Sequence, residues 1–88
     1  MFKACRNRID SDEGFSVEFT RMDLVYSDGS GTIRLNHELG PKRKMIALWR
    51  RSLEELNPDE ELSQEDRDQI IDRVRRAFEA VDYDVTII

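Results

Sequence analysis

Phe15, Val17 and Phe19 alternate with Ser16, Glu18 and Thr20, the period-2 pattern of a strand that turns one face toward a core. After an interruption at residues 21–23, Leu24, Val25 and Tyr26 predict a second strand. Residues 32–36 predict a third, with Ile33 and Leu35 on one side and Thr32, Arg34 and Asn36 on the other. A break at Gly40-Pro41 then precedes MIALWRRSLEEL, residues 45–56. In this segment Ile46, Trp49, Leu53 and Leu56 fall at helical spacing, yet MIALW is also a continuous apolar run suited to a central strand. A strand over residues 45–50 is the preferred of the two readings. Asn57-Pro58 ends any helix, because the residue before proline is pushed out of the α region.

The next element carries its own start signal. Ser63 is placed to cap a helix, Glu65 and Asp66 put negative charge in its first turn, and Asp66 stands at the capping-box position. Ile70, Ile71, Val74, Ala77, Phe78 and Val81 follow at helical spacing and define one apolar stripe, so an amphipathic helix is predicted over about residues 64–80. Alternation returns in residues 82–87, a fifth strand, which the preceding helix allows to run parallel to a neighbour as an edge or inserted strand. Residues 1–14, MFKACRNRIDSDEG, show neither periodicity and read as a loosely ordered tail ahead of one domain spanning residues 15–88. The expected fold is α+β: a largely antiparallel sheet of about five strands, as a four-strand meander, then the helix, then a final strand. The single C-terminal helix packs on one face of that sheet.

Composition narrows the function classes. With 88 residues there is room for one core, and a charged fraction of 38%, against roughly 25% in ordinary soluble domains, requires extensive solvated faces. The net charge of −5 weighs against nucleic acid as a partner, since phosphate neutralisation supplies most non-specific affinity. The lone Cys5 cannot form an internal disulfide. No apolar run approaches the ~18 residues of a membrane helix, and residues 1–14 lack the apolar stretch of a signal peptide, so a cytoplasmic location without membrane contact is expected.

The candidate chemistry concentrates in VYSDGSGTIRLNHELG, residues 25–40, which holds three of the four glycines and the only histidine. A phosphate loop would lead into a helix, whereas these glycines lead into a strand. A calcium loop opening at Asp28 would need glycine at its sixth position and glutamate at its twelfth, and those are Ile33 and Leu39. A hairpin turn built on Asp28, Gly29 and Gly31 remains. His37 and Cys5 lack the further ligands of a zinc site. His37 reads as solvent-facing beyond the strand end; a Cys5–His37 nucleophilic pair stays open, though Cys5 sits in the tail. The carboxylates Glu54-Glu55, Asp59-Glu60-Glu61 and Glu65-Asp66 read as solvated rather than as an acid–base pair; the same acidic surface could meet a basic partner. Of the two basic clusters, Lys42-Arg43-Lys44 and Arg50-Arg51, the second adjoins Trp49. Either Trp49 is a core residue with arginines at a strand end, or it is exposed and anchors a partner, because Trp and Arg dominate interface hot spots. Exposed, the same group could also stack on single-stranded nucleic acid.

Three stretches, LVYSDGSGTIRLNHEL, IALWRRSLEELNP and IIDRVRRAFEAVDYDVTII, make residues 15–88 resemble a group of small bacterial α+β proteins associated with predicted immunity proteins of polymorphic toxin systems. Ser52, Leu53 and Pro58 fit the group's middle segment; Leu56 stands where an aromatic is expected, and Val81-Asp82 replaces a glycine-containing turn. The resemblance implies a compact protein without cofactor or metal that binds a toxin. The expected function is therefore a small non-catalytic protein-binding domain, with an immunity-type inhibitor as its specific form and Glu38, Trp49, Arg50 and Arg51 as contact residues. The alternative is a structural or regulatory module that associates with itself as a homodimer. An enzyme would need a constellation that the residues do not supply.

Overall fold

A computed structural model describes residues 1–88. Seven strands form one sheet, and they lie side by side in the order in which they occur along the chain. These are β1 (Phe2–Cys5), β2 (Arg8–Ser11), β3 (Ser16–Phe19), β4 (Leu24–Asp28), β5 (Gly31–Leu39), β6 (Met45–Trp49) and β7 (Asp84–Ile87). Between β6 and β7 come a one-turn helix α1 (Ser52–Leu56) and the long helix α2 (Gln64–Ala80). Every neighbouring pair is antiparallel except β6 and β7, which are parallel because the chain crosses back through the helices. The sheet is mixed and curls into a half-barrel around α2.

This corrects the five-strand expectation in two places. Residues 1–14 are not a loose tail: they form the β1–β2 hairpin, with Phe2 opposite Ser11 and Ala4 opposite Ile9. Ile9 sits opposite Val17 of β3 and is only 2% exposed, so the hairpin contributes to the core. These short strands lack an apolar alternation because their inward positions include Ala4 and Ser11. The second departure lies in residues 45–56: the preferred strand is realised as β6, MIALW, but a one-turn helix absent from the expected fold, α1, SLEEL, follows it.

Alternation dictates the rest of the core. Val17, Leu24, Tyr26, Ile33, Leu35, Ile46 and Leu48 point into the concave side, where α2 lays down Ile70, Ile71, Val74, Ala77 and Phe78. The Ser63 hydroxyl accepts from the Asp66 amide at 3.0 Å and the Asp66 carboxylate accepts from the Ser63 amide, a complete capping box. At the other end the Asp82 amide donates to the Glu79 carbonyl and the Tyr83 amide to the Phe78 carbonyl, a Schellman closure. Asp82 there has φ +69°, the left-handed conformation for which glycine is the usual residue. That is the position at which the resemblance expects a glycine-containing turn. The closure brings the Tyr83 ring to 5.1 Å from Phe78, which also packs edge-on to Phe19 at 4.8 Å.

β5 belongs to both halves of the sheet. Its first part, up to Leu35, pairs with β4, and residues 36–39 pair with β6. Where β6 has not yet arrived, α1 substitutes for a strand. The Asn57 amide oxygen accepts from the Arg34 N–H at 3.0 Å, and its Nδ2 donates to the Arg34 carbonyl at 2.9 Å. One turn further on, the buried Ser52 hydroxyl accepts from the Asn36 amide at 2.8 Å and donates to the Trp49 carbonyl.

Candidate functional site

The register of β6 decides where Trp49 lies. With Ile46 and Leu48 facing inward, Met45, Ala47 and Trp49 must face outward, and Trp49 is 44% exposed. Of the two readings of this residue, the exposed one is realised. Trp49 is paired with Asn36, and Glu38 is paired with Ala47 two positions away on the same outward face. Arg50 and Arg51 follow at the turn into α1, both exposed. The four proposed contact residues are thus adjacent along β5–β6. The ion pairs of the chain all lie elsewhere, at Arg8, Arg67, Arg73, Arg75, Arg76 and the amino terminus. Arg50 and Arg51 therefore have no carboxylate partner within the molecule.

His37 is placed differently from expectation. It lies within β5, faces inward and is half-buried, not solvent-facing beyond the strand end. Its Nε2 donates to the Thr20 carbonyl at 2.8 Å, since a carbonyl can only accept, and its Nδ1 is buried without a partner. Cys5 is exposed on β1, not in a tail. Three strands separate it from β5, so the two side chains cannot act as a nucleophile and its base.

In the hairpin turn after β4 only Gly31 has positive φ, at +146°; Gly29 does not. The turn instead rests on Asp28, whose Oδ1 accepts from the Ser30 amide at 2.7 Å. Asp28 Oδ2 accepts from the Tyr26 hydroxyl at 2.7 Å, and Arg73 Nη1 donates to that hydroxyl, also at 2.7 Å, while its guanidinium lies over the Phe15 ring. Asp28, Ser30 and Arg73 border a cleft of about 440 Å³ together with Glu60, Glu61 and Asp66. Both Asp28 oxygens are taken up by groups of the protein itself, so this triad ties α2 to the sheet.

Partial burial pushes the Asp28 carboxyl up, but the bonds from Tyr26, Ser30 and Gly31 and the field of Arg73 outweigh it, and the net displacement is downward. A carboxylate depressed on folding adds stability above its unfolded value near 3.8, and that stability is lost as pH falls through the folded value. Asp72, held low first by its bond from Arg75, acts in the same direction. Stability measured by urea unfolding should thus decline below about pH 4. In Asp28→Asn it should already be lower at pH 7 and fall less steeply in acid. An unchanged acid slope in that variant would remove Asp28 from the account.

Two groupings were not foreseen from sequence. One is the Ser52–Asn57 stitch along β5; the other is a basic notch in which Arg21, His37, Lys42, Arg43 and Tyr83 meet. Only the Lys42-Arg43-Lys44 cluster beside the Gly40-Pro41 break signalled the second. No helix is long and apolar enough to cross a membrane. Comparison with family models, with curated proteins and with solved structures finds no match to this chain.

Proposed function

We propose that this chain is a small non-catalytic protein-binding domain acting in the cytoplasm, and that an immunity-type inhibitor of a toxin is its specific form. The observation that carries the reading is the exposed Trp49 on the outward sheet face, flanked by two arginines that have no internal counter-ion. A tryptophan left in water beside free guanidinium groups gains on docking from both apolar burial and ion pairing. The complementary surface would carry carboxylates around an apolar depression that accepts the indole. Met45 and Ala47 extend the apolar row from Trp49 along β6, and Glu38 adds one acceptor at its border.

The test begins with the gene next to the one encoding this chain. A toxin gene is expected there, and its product should bind the chain in calorimetry. Trp49→Ala with Arg51→Ala should weaken that binding at least tenfold, or about 1.4 kcal/mol, without altering the fold. Undiminished affinity in the double variant would remove the surface, and a neighbouring metabolic operon with no toxin would count against the inhibitor.

A second reading, self-association, is favoured by β7. The Asp84 and Ile88 amides bond to carbonyls of Lys44 and Leu48, so the backbone groups of Val85 and Ile87 point to the open edge of the sheet. An uncovered β-branched edge strand can pair with its own copy. Sizing at micromolar concentration separates the readings, because only this one requires a dimer without a partner.

A further inference from the structure

We propose that the notch between the two halves of the sheet binds a phosphate group. The notch exists because of the way β5 is shared. After Leu35 the strand leaves β4 and turns to β6, and the gap on the β4 side is spanned by the His37 imidazole bonded to the Thr20 carbonyl. The resulting concavity measures about 530 Å³.

Three tethers fix its walls. The Thr20 hydroxyl accepts from the amides of Met22 and Asp23, which sets the turn carrying Arg21. The opposite wall, the turn between β5 and β6, is closed by the Gly40 amide bonded to the Met45 carbonyl at 2.9 Å. A Cβ on Gly40 would come within 2.7 Å of the Met45 Cβ, so that turn can only be this tight with glycine. Lys44, at φ +59°, reaches back to donate to the Val81 carbonyl at 3.1 Å and joins the turn to the C-terminal end of α2. The backbone is therefore held in place before any ligand arrives.

The charges are what make the notch distinctive. In a chain of net charge −5, Arg21, Lys42 and Arg43 converge on one concavity, and none of them forms an ion pair. The one carboxylate lining it is Glu38. With Lys44, whose ammonium is tethered to the Val81 carbonyl, four cations line the notch against one carboxylate, an excess of positive charge that suits a phosphate anion. The two guanidinium groups can each grip a tetrahedral oxyanion with two parallel N–H bonds, and Lys42 supplies a point charge. Tyr83 lines the same wall with a hydroxyl. His37 acts as a positioning residue, setting the Arg21 turn opposite Lys42 and Arg43. Its buried, unpartnered Nδ1 is the kind of orphan polar atom that a bound water or ligand satisfies.

Titration of the full chain with inorganic phosphate, followed by ¹H–¹⁵N correlation spectra, tests the site. Saturable shifts are expected in the amides of residues 20–21, 40, 42–44 and 83, with none of that pattern in sodium chloride at matched ionic strength. Arg21→Ala with Arg43→Ala should weaken binding at least tenfold, and Lys42→Glu should do the same by reversing one charge. All three substitutions are at exposed positions, and unchanged signals for the core residues Ile9, Val17 and Tyr26, away from the notch, confirm that each variant is folded. A second arm with methyl phosphate assigns the source: tighter binding than inorganic phosphate marks a monoester site, weaker binding a site for the free ion. Shifts that rise without saturation, that appear equally in chloride, or that survive the double variant would overturn the proposal.

Discussion

Replacing Phe78 with alanine should lower the unfolding free energy by about 3–5 kcal/mol. A chain of this size has roughly 4–13 kcal/mol in total, so the substitution should remove about a quarter of its stability or more. The ring is completely buried, and it joins three elements. It stacks edge-on against Phe19 from β3 and Tyr83 from the segment leading into β7, and its own carbonyl closes the end of α2. Deleting it opens a cavity that α2 cannot fill without leaving Val74 and Ala77 displaced from the sheet, and the transfer and cavity contributions then add. Met22→Ala, at an 80% exposed position, should change stability by under about 0.5 kcal/mol in the same urea titration. A loss below about 1.5 kcal/mol for Phe78→Ala would mean that the helix seats on the sheet through other residues.

Ser52→Ala should cost about 1–3 kcal/mol, a large effect for the removal of a single oxygen. Volume hardly changes, so packing is not the cause. The hydroxyl is the only buried polar side chain, and its loss leaves the Asn36 N–H without an acceptor and the Trp49 carbonyl without a donor. The consequence should be local as well as global. A five-residue helix has almost no stability of its own, and α1 has no side-chain cap at Arg51. It is held by Ser52, by the buried Leu53 and by the Asn57 amide on Arg34. Amide exchange at Arg34 and Asn36 should therefore accelerate in Ser52→Ala beyond what the global loss explains. Asn57→Ala should cost less, because Arg34 is exposed and water can replace the lost bonds. Equal exchange rates at Asn36 in variant and parent would rule out the stitch.

These residues also show where the sequence was legible. The long helix announced itself, since its cap at Ser63 and its stripe from Ile70 to Phe78 are local features that tertiary packing then used unchanged. The strands from β3 to β6 could be read because one face of each is apolar. The β1–β2 hairpin could not: it is held by pairing to β3 rather than by its own pattern, with Ile9 its one fully buried residue. Around Trp49 the run MIALW is apolar on both faces, so only the pairing partner in β5 reveals which face is wet. Asn57 reads only as a helix stop and Ser52 only as a position shared with the resemblance, because a side chain that stands in for a missing strand has no sequence signature. The basic notch is more scattered still, as Arg21, His37, Arg43 and Tyr83 come from four different segments of the chain.

The parallel partnership of β6 and β7 has a kinetic consequence. The first six strands are joined by short turns, and each can zip onto its predecessor at small entropic cost. β7 reaches β6 only after the chain has closed a loop containing both helices, so its pairing depends on α2 having already found the concave side. The Phe78–Tyr83 contact sits at the base of that loop and shortens the search by delivering β7 beside its partner once the helix has docked. Folding of this domain should therefore end, and unfolding begin, at its last strand.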